Sequence, residues 1–180
     1  MPSSPREYFT QTIPAQYTAA LAGSPAVAAQ APLSAVFEVI GEGGGLFSLR
    51  SEGGQLEVQE GEQIEAPDMR VTMSYDDWHS FAEGGSTESF VDYIQRGKVV
   101  VVKGLKGTVA IELTRSDDSL WHSTTVFGGQ AEPALKVMMT SDDYKAMMSG
   151  ELNSQMAFLT GKLKFEGSLP MLMQLGALAS

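Results

Sequence analysis

One pattern occurs twice in this chain, and it constrains the fold more than any other feature. The run Val71-Thr-Met-Ser-Tyr-Asp-Asp-Trp78 aligns with Val137-Met-Met-Thr-Ser-Asp-Asp-Tyr144 at an offset of 66 residues. In each copy a strand-like run leads to a hydroxyl residue and two aspartates, which is typical of a helix N-terminus. A second helical run, a glycine-lysine pair and another strand-like run follow both copies. We therefore predict an internal duplication.

The remaining segments predict helices at the amino end, an antiparallel meander with one solvated face, and a later hairpin. Proline after serine indicates helix starts at Ser4-Pro5 and Ser24-Pro25, and Pro14 is expected to interrupt the first helix. Gly84-Gly85 is expected to end the helix that begins near Ser74. Alternating or β-branched runs predict strands over residues 35–40, 46–50, 55–60, 69–73, 98–103, 108–115, 120–127 and 162–168.

Composition excludes several classes of function. The 180 residues carry a net charge of -10, which disfavours nucleic acid and anionic lipid surfaces as partners. The chain has no cysteine and only two histidines, so we predict neither a metal site nor a cofactor. It also has no apolar signal segment and no apolar run of about 18 residues, so we expect an acidic, cytoplasmic protein without stable membrane insertion.

The carboxy-terminal half resembles a known family. The segment Ser149-Gly-Glu-Leu-Asn153, followed by Gly161-Lys-Leu-Lys164, is similar to the sterol carrier protein type two family, and this is the most specific part of the match. The amino-terminal half resembles the opening of that family, with helices, a meander and Val71-Thr-Met-Ser74. The resemblance implies an α+β fold, in which a curved, mostly antiparallel sheet is backed by helices around an apolar tunnel. It also implies binding of fatty acyl chains, phospholipids or sterols without a shared catalytic apparatus.

The chain departs from the family in its length. We predict a first sterol-carrier-like copy over residues 1–115 and a partial second copy over 116–180 that packs on the same sheet. A single continuous domain is the alternative. The second copy lacks a full meander of its own. Whether the two copies form one pocket or two stays open.

Methionine is concentrated where the resemblance is strongest. Seven of the ten methionines lie between Met138 and Met173, and flexible, polarizable methionine suits surfaces that fit ligands of varied shape. Core packing is the alternative for each of them. The candidate ligand-binding residues are Phe37, Phe47, Met73, Trp78, Phe81, Tyr93, Ile94, Met139, Tyr144, Met147, Met148, Met156, Phe158, Leu159, Met171, Met173 and Leu175.

Catalytic candidates are few. His122, on a predicted strand, faces Glu112 across the predicted hairpin, but no nucleophile or oxyanion motif accompanies them. The paired aspartates are expected to cap helices, where negative charge is stabilised by about 0.3–1 kcal/mol. Lys162 and Lys164 could meet an anionic head group, although alternating lysines are more often an ordinary solvated strand face.

These features favour a carrier of a hydrophobic small molecule or lipid, with a fatty acyl, sterol-like or polyketide- or terpenoid-like body. A small cofactor-independent isomerase or cyclase that uses the same pocket is the alternative. A third alternative is an accessory partner of a larger enzyme, and a homodimer is also left open. The segment from Pro170 to Ala179 is too apolar for a helix lying free in water and is therefore expected to pack. The family resemblance implies that it packs beside the tunnel as a lid.

Overall fold

The computed structural model describes residues 4–83 and 90–179, and its strands form one eight-stranded sheet. The strands are β1 (Leu33–Ile40), β2 (Gly45–Glu52), β3 (Gln55–Glu60), β4 (Met69–Ser74), β5 (Gly107–Thr114), β6 (Leu120–Phe127), β7 (Ala134–Thr140) and β8 (Lys164–Gly167). The α-helices are α1 (Pro5–Glu7), α2 (Ile13–Gly23), α3 (Tyr75–Glu83), α4 (Phe90–Gln95), α5 (Val99–Gly104), α6 (Ser141–Met148), α7 (Ser154–Leu159) and α8 (Leu169–Ala179).

The strand order across the sheet is β3-β2-β1-β4-β6-β5-β7-β8. Neighbours are antiparallel except for β1 with β4 and β5 with β7, which are parallel. The expected α+β class with a mostly antiparallel sheet is therefore confirmed. The meander over β1–β3 and the hairpin of β5 and β6 both form as predicted.

The predicted duplication corresponds to a repeated arrangement of strands. The β1–β2 hairpin is followed by β4, which lies parallel to β1 and leads into α3. The β5–β6 hairpin is followed by β7, which lies parallel to β5 and leads into α6. The second unit therefore has a hairpin of its own. The division between residues 115 and 116 stays a prediction, and it falls in the turn between the paired strands β5 and β6.

The two repeated helices begin with the same cap. The backbone N–H of Asp77 donates to Ser74 Oγ at 3.1 Å, and that of Asp143 donates to Thr140 Oγ1 at 3.1 Å. Each side chain satisfies an N–H that has no partner inside the helix. The paired aspartates thus lie in the first turn of each helix, as the sequence predicts.

The amino-terminal helix accommodates Pro14 through a wider turn. Ser4 caps α1, and residues Tyr8–Thr12 form a π-helical stretch before α2 begins with Pro14 in its first turn. Proline clashes with the carbonyl four residues earlier in a regular helix. The N–H of Ile13 instead bonds to the carbonyl of Tyr8, five residues back, and the chain stays helical.

The strand predicted over residues 98–103 is wrong, because this segment forms α5. Val99 and Val102, three residues apart, are buried, while Val100 is 72% exposed. That spacing is helical, and the helix packs on α4 and α8. In the sheet β4 pairs directly with β6, so no position remains for another strand between them. The last strand-like runs of the two predicted copies therefore do not correspond. Residues 98–104 contain the helix α5, whereas residues 162–168 contain the strand β8.

Helices cover one face of the sheet, and ion pairs mark the other. Alternate residues of β1, β4, β5, β6 and β7 enter the apolar core beneath the helices. On the opposite face Arg70 reaches Glu62 at 2.6 Å and Glu38 at 3.4 Å. The predicted helix end at Gly84-Gly85 lies outside the described residues.

We expect the two caps to stabilise the fold by similar amounts. Ser74→Ala and Thr140→Ala should each lower the free energy of unfolding by about 1 kcal/mol, because each leaves a helix N–H unpaired. Urea unfolding measures the loss. Ser149→Ala is the control, because this exposed hydroxyl lies at the other end of α6, and it should change stability by less than about 0.5 kcal/mol. A loss confined to one of the two caps would contradict the equivalence of the units.

Candidate functional site

A cavity of about 790 Å³ lies between the covered face of the sheet and the helices. The volume falls within the range of roughly 300–1,000 Å³ that small-molecule sites occupy. Both units contribute to its wall, and its described lining residues on the sheet come from β1, β4, β5, β6 and β7. Among the described residues that line it, none is charged.

The floor of the cavity follows from strand alternation. Val71 of β4 pairs with Thr125 of β6, which pairs with Val109 of β5. Because facing residues in a ladder point to the same side of a sheet, their side chains form a row under the helices. The floor residues are Phe37, Met69, Val71, Met73, Val109, Ile111, Trp121, Ser123, Thr125, Phe127 and Val137.

Aromatic rings form the wall contributed by the first unit. Tyr8 packs edge-on against Trp78 with ring centroids 5.9 Å apart, and Tyr75 lies 5.8 Å from the same indole. Trp78 is only 1% exposed and Phe90 only 2%. The first unit therefore closes its end of the cavity.

The two tryptophans that line the cavity, Trp78 of this wall and Trp121 of the floor, differ in hydrogen bonding. Trp121 Nε1 donates to the carbonyl of Asp77 at 2.8 Å. Trp78 Nε1 is buried without a hydrogen-bond partner among the described residues. An unpaired buried donor costs about 1–3 kcal/mol, so Trp78 is held in place by packing rather than by its polar group.

The second unit supplies the other wall through α6, α7 and α8. Tyr144, Met147 and Met148 extend from α6, and α8 adds an apolar face. The Asn153 side chain caps α7 by accepting from the N–H groups of Gln155 and Met156. The α8 residues that line the cavity are Leu169, Leu172, Met173, Leu175, Gly176, Ala177 and Leu178.

The structure brings most of the candidate ligand-binding residues to this cavity. Twelve of the candidates line it: Phe37, Met73, Trp78, Phe81, Tyr93, Tyr144, Met147, Met148, Phe158, Leu159, Met173 and Leu175. Their role in ligand binding stays a prediction.

Five candidates do not line the cavity. Phe47 stacks on Phe9 with centroids 4.7 Å apart, and Ile94, Met139 and Met171 are buried in the core. Met156 is 52% exposed on the outer side of α7. Apolar character at the correct spacing does not separate a core position from a cavity position, because both are excluded from water in the same way.

Several lining residues escaped the sequence analysis. Tyr8, Phe9 and Ile13 come from the amino-terminal helices, and Ser123 and Thr125 are polar residues on β6. Strand alternation offered a signal for Val71, Val109 and Ile111, which share a face with their neighbours. Alternation along β6 also places Ser123 and Thr125 on the face of Trp121 and Phe127, although their polar side chains do not by themselves indicate an apolar cavity.

The weak catalytic candidates lie on the far side of the sheet. Glu112 pairs with His122 in the β5–β6 register, with 3.7 Å between Glu112 Oε2 and His122 Nδ1. Lys136 Nζ approaches the same carboxylate at 3.0 Å. These side chains alternate with the cavity-lining residues Ile111, Trp121 and Val137, so the sheet separates them from the cavity.

The paired aspartates make structural contacts. Arg115 Nη2 reaches Asp77 Oδ1 at 3.0 Å, and Lys162 Nζ reaches Asp143 Oδ1 at 3.0 Å. The hydrogen bond from Lys162 and the one at Thr140 lower the pKa of Asp143 below its ordinary value. Within residues 4–83 and 90–179, no group of three His, Asp or Glu side chains is arranged to hold a metal ion.

Known proteins resemble the second half of the chain most clearly. Residues 95–180 match the SCP-2 sterol transfer family. The predicted family resemblance is confirmed for this segment. It contains α5, β5 through β8 and α6 through α8, which together form the second repeated unit and the helix before it.

The chain also matches parts of longer proteins. Hydroxysteroid dehydrogenase-like protein 2 of Homo sapiens is 34% identical over 83 residues, which cover 42% of this chain and 20% of that protein. Peroxisomal multifunctional enzyme A of Dictyostelium discoideum is 38% identical over 56 residues, covering 31% of this chain and 13% of that protein. The chain thus spans a fifth or less of the length of these curated relatives.

Solved structures of sterol carrier proteins also align with the chain. Sterol carrier protein domain 2 of Helicoverpa armigera aligns with a TM-score of 0.36 and 19% identity, covering 53% of this chain and 92% of that chain. Sterol carrier protein 2 of Yarrowia lipolytica aligns with a TM-score of 0.22 and 13% identity, covering 97% and 82%. Across the described part of the chain, no helix is long and apolar enough to cross a bilayer.

Tyr8 should make stability depend on alkaline pH. Burial, and then the charge of Asp92, raise its pKa from 10 to about 12, because both disfavour the phenolate. A raised folded pKa stabilises the protein fully below pH 10, and this stabilisation is lost as the pH rises through 12. The free energy of unfolding of the natural protein should therefore fall between these pH values by up to about 2–3 kcal/mol more than that of Tyr8→Phe, which has no phenol to ionise. Urea unfolding at both values measures the difference, and equal losses would contradict the assignment.

His122→Ala tests the far-face cluster. We expect less than about a threefold change in affinity for a fluorescent fatty acid or sterol, because the sheet separates this side chain from the cavity. Fluorescence titration measures the affinity, and Glu112→Gln serves as the matched variant of the same cluster. A large loss of affinity in either variant would show that the cluster takes part in ligand binding.

Proposed function

We propose that this protein carries a hydrophobic lipid or sterol-like molecule in the large cavity beneath its helices. One observation carries the proposal: a cavity of about 790 Å³ whose described lining residues include no charged side chain. The fatty acyl, sterol-like and polyketide- or terpenoid-like bodies expected from the sequence all fit this chemistry. The membership of residues 95–180 in a sterol transfer family supports the same function.

Apolar burial is sufficient to drive such binding. Ten methylenes that leave water at about 0.8 kcal/mol each provide roughly 8 kcal/mol before the cost of immobilising the ligand. Methionines 73, 147, 148 and 173 line the cavity, and their flexible side chains can adapt to chains or fused rings. We therefore expect shape and apolar area, rather than one ion pair, to select the ligand.

The arrangement favours a carrier over the isomerase or cyclase alternative. Acid-base catalysis needs a titratable group within hydrogen-bond reach of the reacting atoms. His122 and Glu112, the sequence candidates, lie behind the sheet. The titratable groups of the described lining are the phenols of Tyr8, Tyr93 and Tyr144, and burial raises the pKa of Tyr8 to about 12, far above neutral pH.

The helix α8 acts, in this proposal, as the cover of the cavity. Met171 and Leu178 anchor it, being 1% and 3% exposed, while Leu172 and Leu175 face the ligand space. Because the same helix supplies core and lining residues, its deletion would disturb both. The cytoplasmic location, the homodimer and the enzyme partner expected from the sequence stay predictions.

Two neighbouring threonines of β6 test the proposal. Thr125 lines the cavity, whereas Thr124 points to the opposite face of the sheet. Thr125→Phe should fill ligand space and lower the affinity for a fluorescent sterol or fatty acid by roughly tenfold or more. Thr124→Phe is the matched control and should change that affinity by less than about threefold.

Ile111→Phe gives a second obstruction in case Thr125→Phe does not fold, which circular dichroism would reveal. The proposal is overturned if the folded natural protein binds neither probe. It is also overturned if folded cavity variants bind as tightly as the Thr124 control. Native mass spectrometry of protein purified without detergent should detect a retained ligand and give its mass.

A further inference from the structure

Two hydroxyl side chains interrupt the apolar floor of the cavity. Ser123 and Thr125 both line it from β6, and Ser123 is only 8% exposed. Their partners in the neighbouring ladders are Ile111 and Val109 of β5 and Val71 of β4. Every other residue of the described floor is hydrophobic. The two hydroxyls are therefore surrounded on the sheet by side chains that offer them no hydrogen bond.

Neither hydroxyl is satisfied by the protein itself. No hydrogen bond joins Ser123 Oγ or Thr125 Oγ1 to another group of the described chain. A hydroxyl without a partner in an apolar site costs free energy, and alanine or valine would fill the same positions without that cost. Strand β6 thus holds unused hydrogen-bonding capacity, and this capacity faces the space that a ligand would occupy.

The hydroxyl pair lies in the interior of the cavity. Strand β5 separates β6 from β7, on which α8 packs, so the pair is about 10 Å from β7 across the sheet. The lining residues Leu159 of α7 and Met173 of α8 are 76% and 72% exposed, whereas Ser123 is buried. Residues on one face of a strand are spaced about 6.8 Å apart, so one ligand oxygen between the two hydroxyls is within reach of both.

The charge of the cavity limits the chemical group that can meet these hydroxyls. None of the described lining residues is charged, and residues 1–3, 84–89 and 180 include no lysine, arginine or histidine. An ionised ligand group at the floor would lose its hydration without gaining a counter-charge from the described lining, which is costly. A neutral oxygen loses less hydration and regains hydrogen bonds from the two hydroxyls. The matching ligand group is therefore a hydroxyl or a carbonyl.

From these observations we propose that Ser123 and Thr125 form a hydrogen-bonding subsite for a neutral hydroxyl or carbonyl oxygen of the ligand, which lies in the cavity with this oxygen innermost. This inference rests on the proposed carrier function and narrows its ligand class. Uncharged oxygenated hydrophobes, such as sterol alcohols, steroid ketones and esters, bind ahead of ionised fatty acids. The two hydroxyls select the ligand and its orientation, whereas the apolar walls supply most of the affinity.

One double variant removes both hydroxyls with little change of shape. It combines Ser123→Ala with Thr125→Val, in which a methyl group replaces the hydroxyl. Thr124→Val is the matched control, because Thr124 lies on the same strand and points to the opposite face of the sheet. Without ligand, the urea midpoint of the double variant should not fall below that of the natural protein, because no hydrogen bond to the described chain is lost. A clear fall would assign the hydroxyls to the fold and overturn the inference.

Ligand affinity is measured by displacement of a fluorescent sterol, whose own affinity for each variant is titrated first. One series of competitors is androstanol, androstanone and the parent hydrocarbon androstane, and the other is dodecanol, dodecane and dodecanoate. We expect the double variant to bind the alcohols and the ketone roughly tenfold more weakly than the natural protein. Its affinity for the hydrocarbons and for dodecanoate should change by less than about threefold. The Thr124→Val control should match the natural protein with every competitor.

The competitors separate failure of this inference from failure of the carrier function. Equal losses for alcohol and hydrocarbon, or no loss for any competitor, would show that the hydroxyls do not bind a ligand oxygen. A loss for dodecanoate as large as that for dodecanol would show that an ionised group reaches them, which contradicts the neutral ligand class. Failure of the natural protein to bind the fluorescent sterol or either series would instead refute the carrier function on which the inference rests.

Discussion

The pairing of β4 with β6 is the contact on which the rest of the structure depends. Met69 to Thr72 pair with Phe127 to Thr124, and this short antiparallel ladder joins the two repeated units in one sheet. Asp68 supports the junction at its end. Its backbone carbonyl accepts from Gly128, and its carboxylate accepts from the backbone N–H and hydroxyl of Ser34 and from Lys103. Asp68 thus ties β1 and α5 through its carboxylate, and the end of β6 through its backbone carbonyl, to the start of β4. The β4–β6 ladder places the apolar faces of both units on the same side of one sheet.

A shared apolar side creates one cavity rather than two cores. Helices of the first unit pack closely, with Trp78, Phe90 and Ile94 nearly inaccessible. The second unit packs more openly: the described side chains of α6 include no fully buried residue, and α7 buries only Ala157. Space that a compact protein would fill is therefore left under α6, α7 and α8. The cavity is thus bounded by buried side chains of the first unit at one end, whereas lining residues of α7 and α8 are exposed at the other.

Charged side chains are excluded from the described lining of the cavity. Charged side chains are kept on the outer face of the sheet, where Glu112, His122 and Lys136 form a cluster, and at helix starts, where Asp77 and Asp143 meet Arg115 and Lys162. Burying any of them in the cavity without a partner would be costly. Within the wall, the indole N–H of Trp78 is buried without a hydrogen-bond partner among the described residues, and the rings of Tyr8 and Tyr75 pack against the indole.

Local sequence determined the elements whose signals are themselves local. The caps at Ser74 and Thr140 were predictable because a side-chain oxygen three residues before a free N–H needs no tertiary support. The β5–β6 hairpin and the repeated arrangement followed from alternation and spacing. Twelve of the candidate residues line the cavity: Phe37 and Met73 follow strand alternation, and the other ten lie on the helices that cover the sheet.

Only the tertiary structure decided the rest. The four valines from Val99 suit a strand by propensity, yet the direct pairing of β4 with β6 leaves them no place in the sheet, and they form α5. Met171 and Met173 are two residues apart on one helix, yet Met171 is buried in the core while Met173 is exposed and lines the cavity. Sequence determines which side chains avoid water. Whether they do so against each other or against a ligand depends on how closely distant helices approach the sheet, and no local pattern encodes that distance.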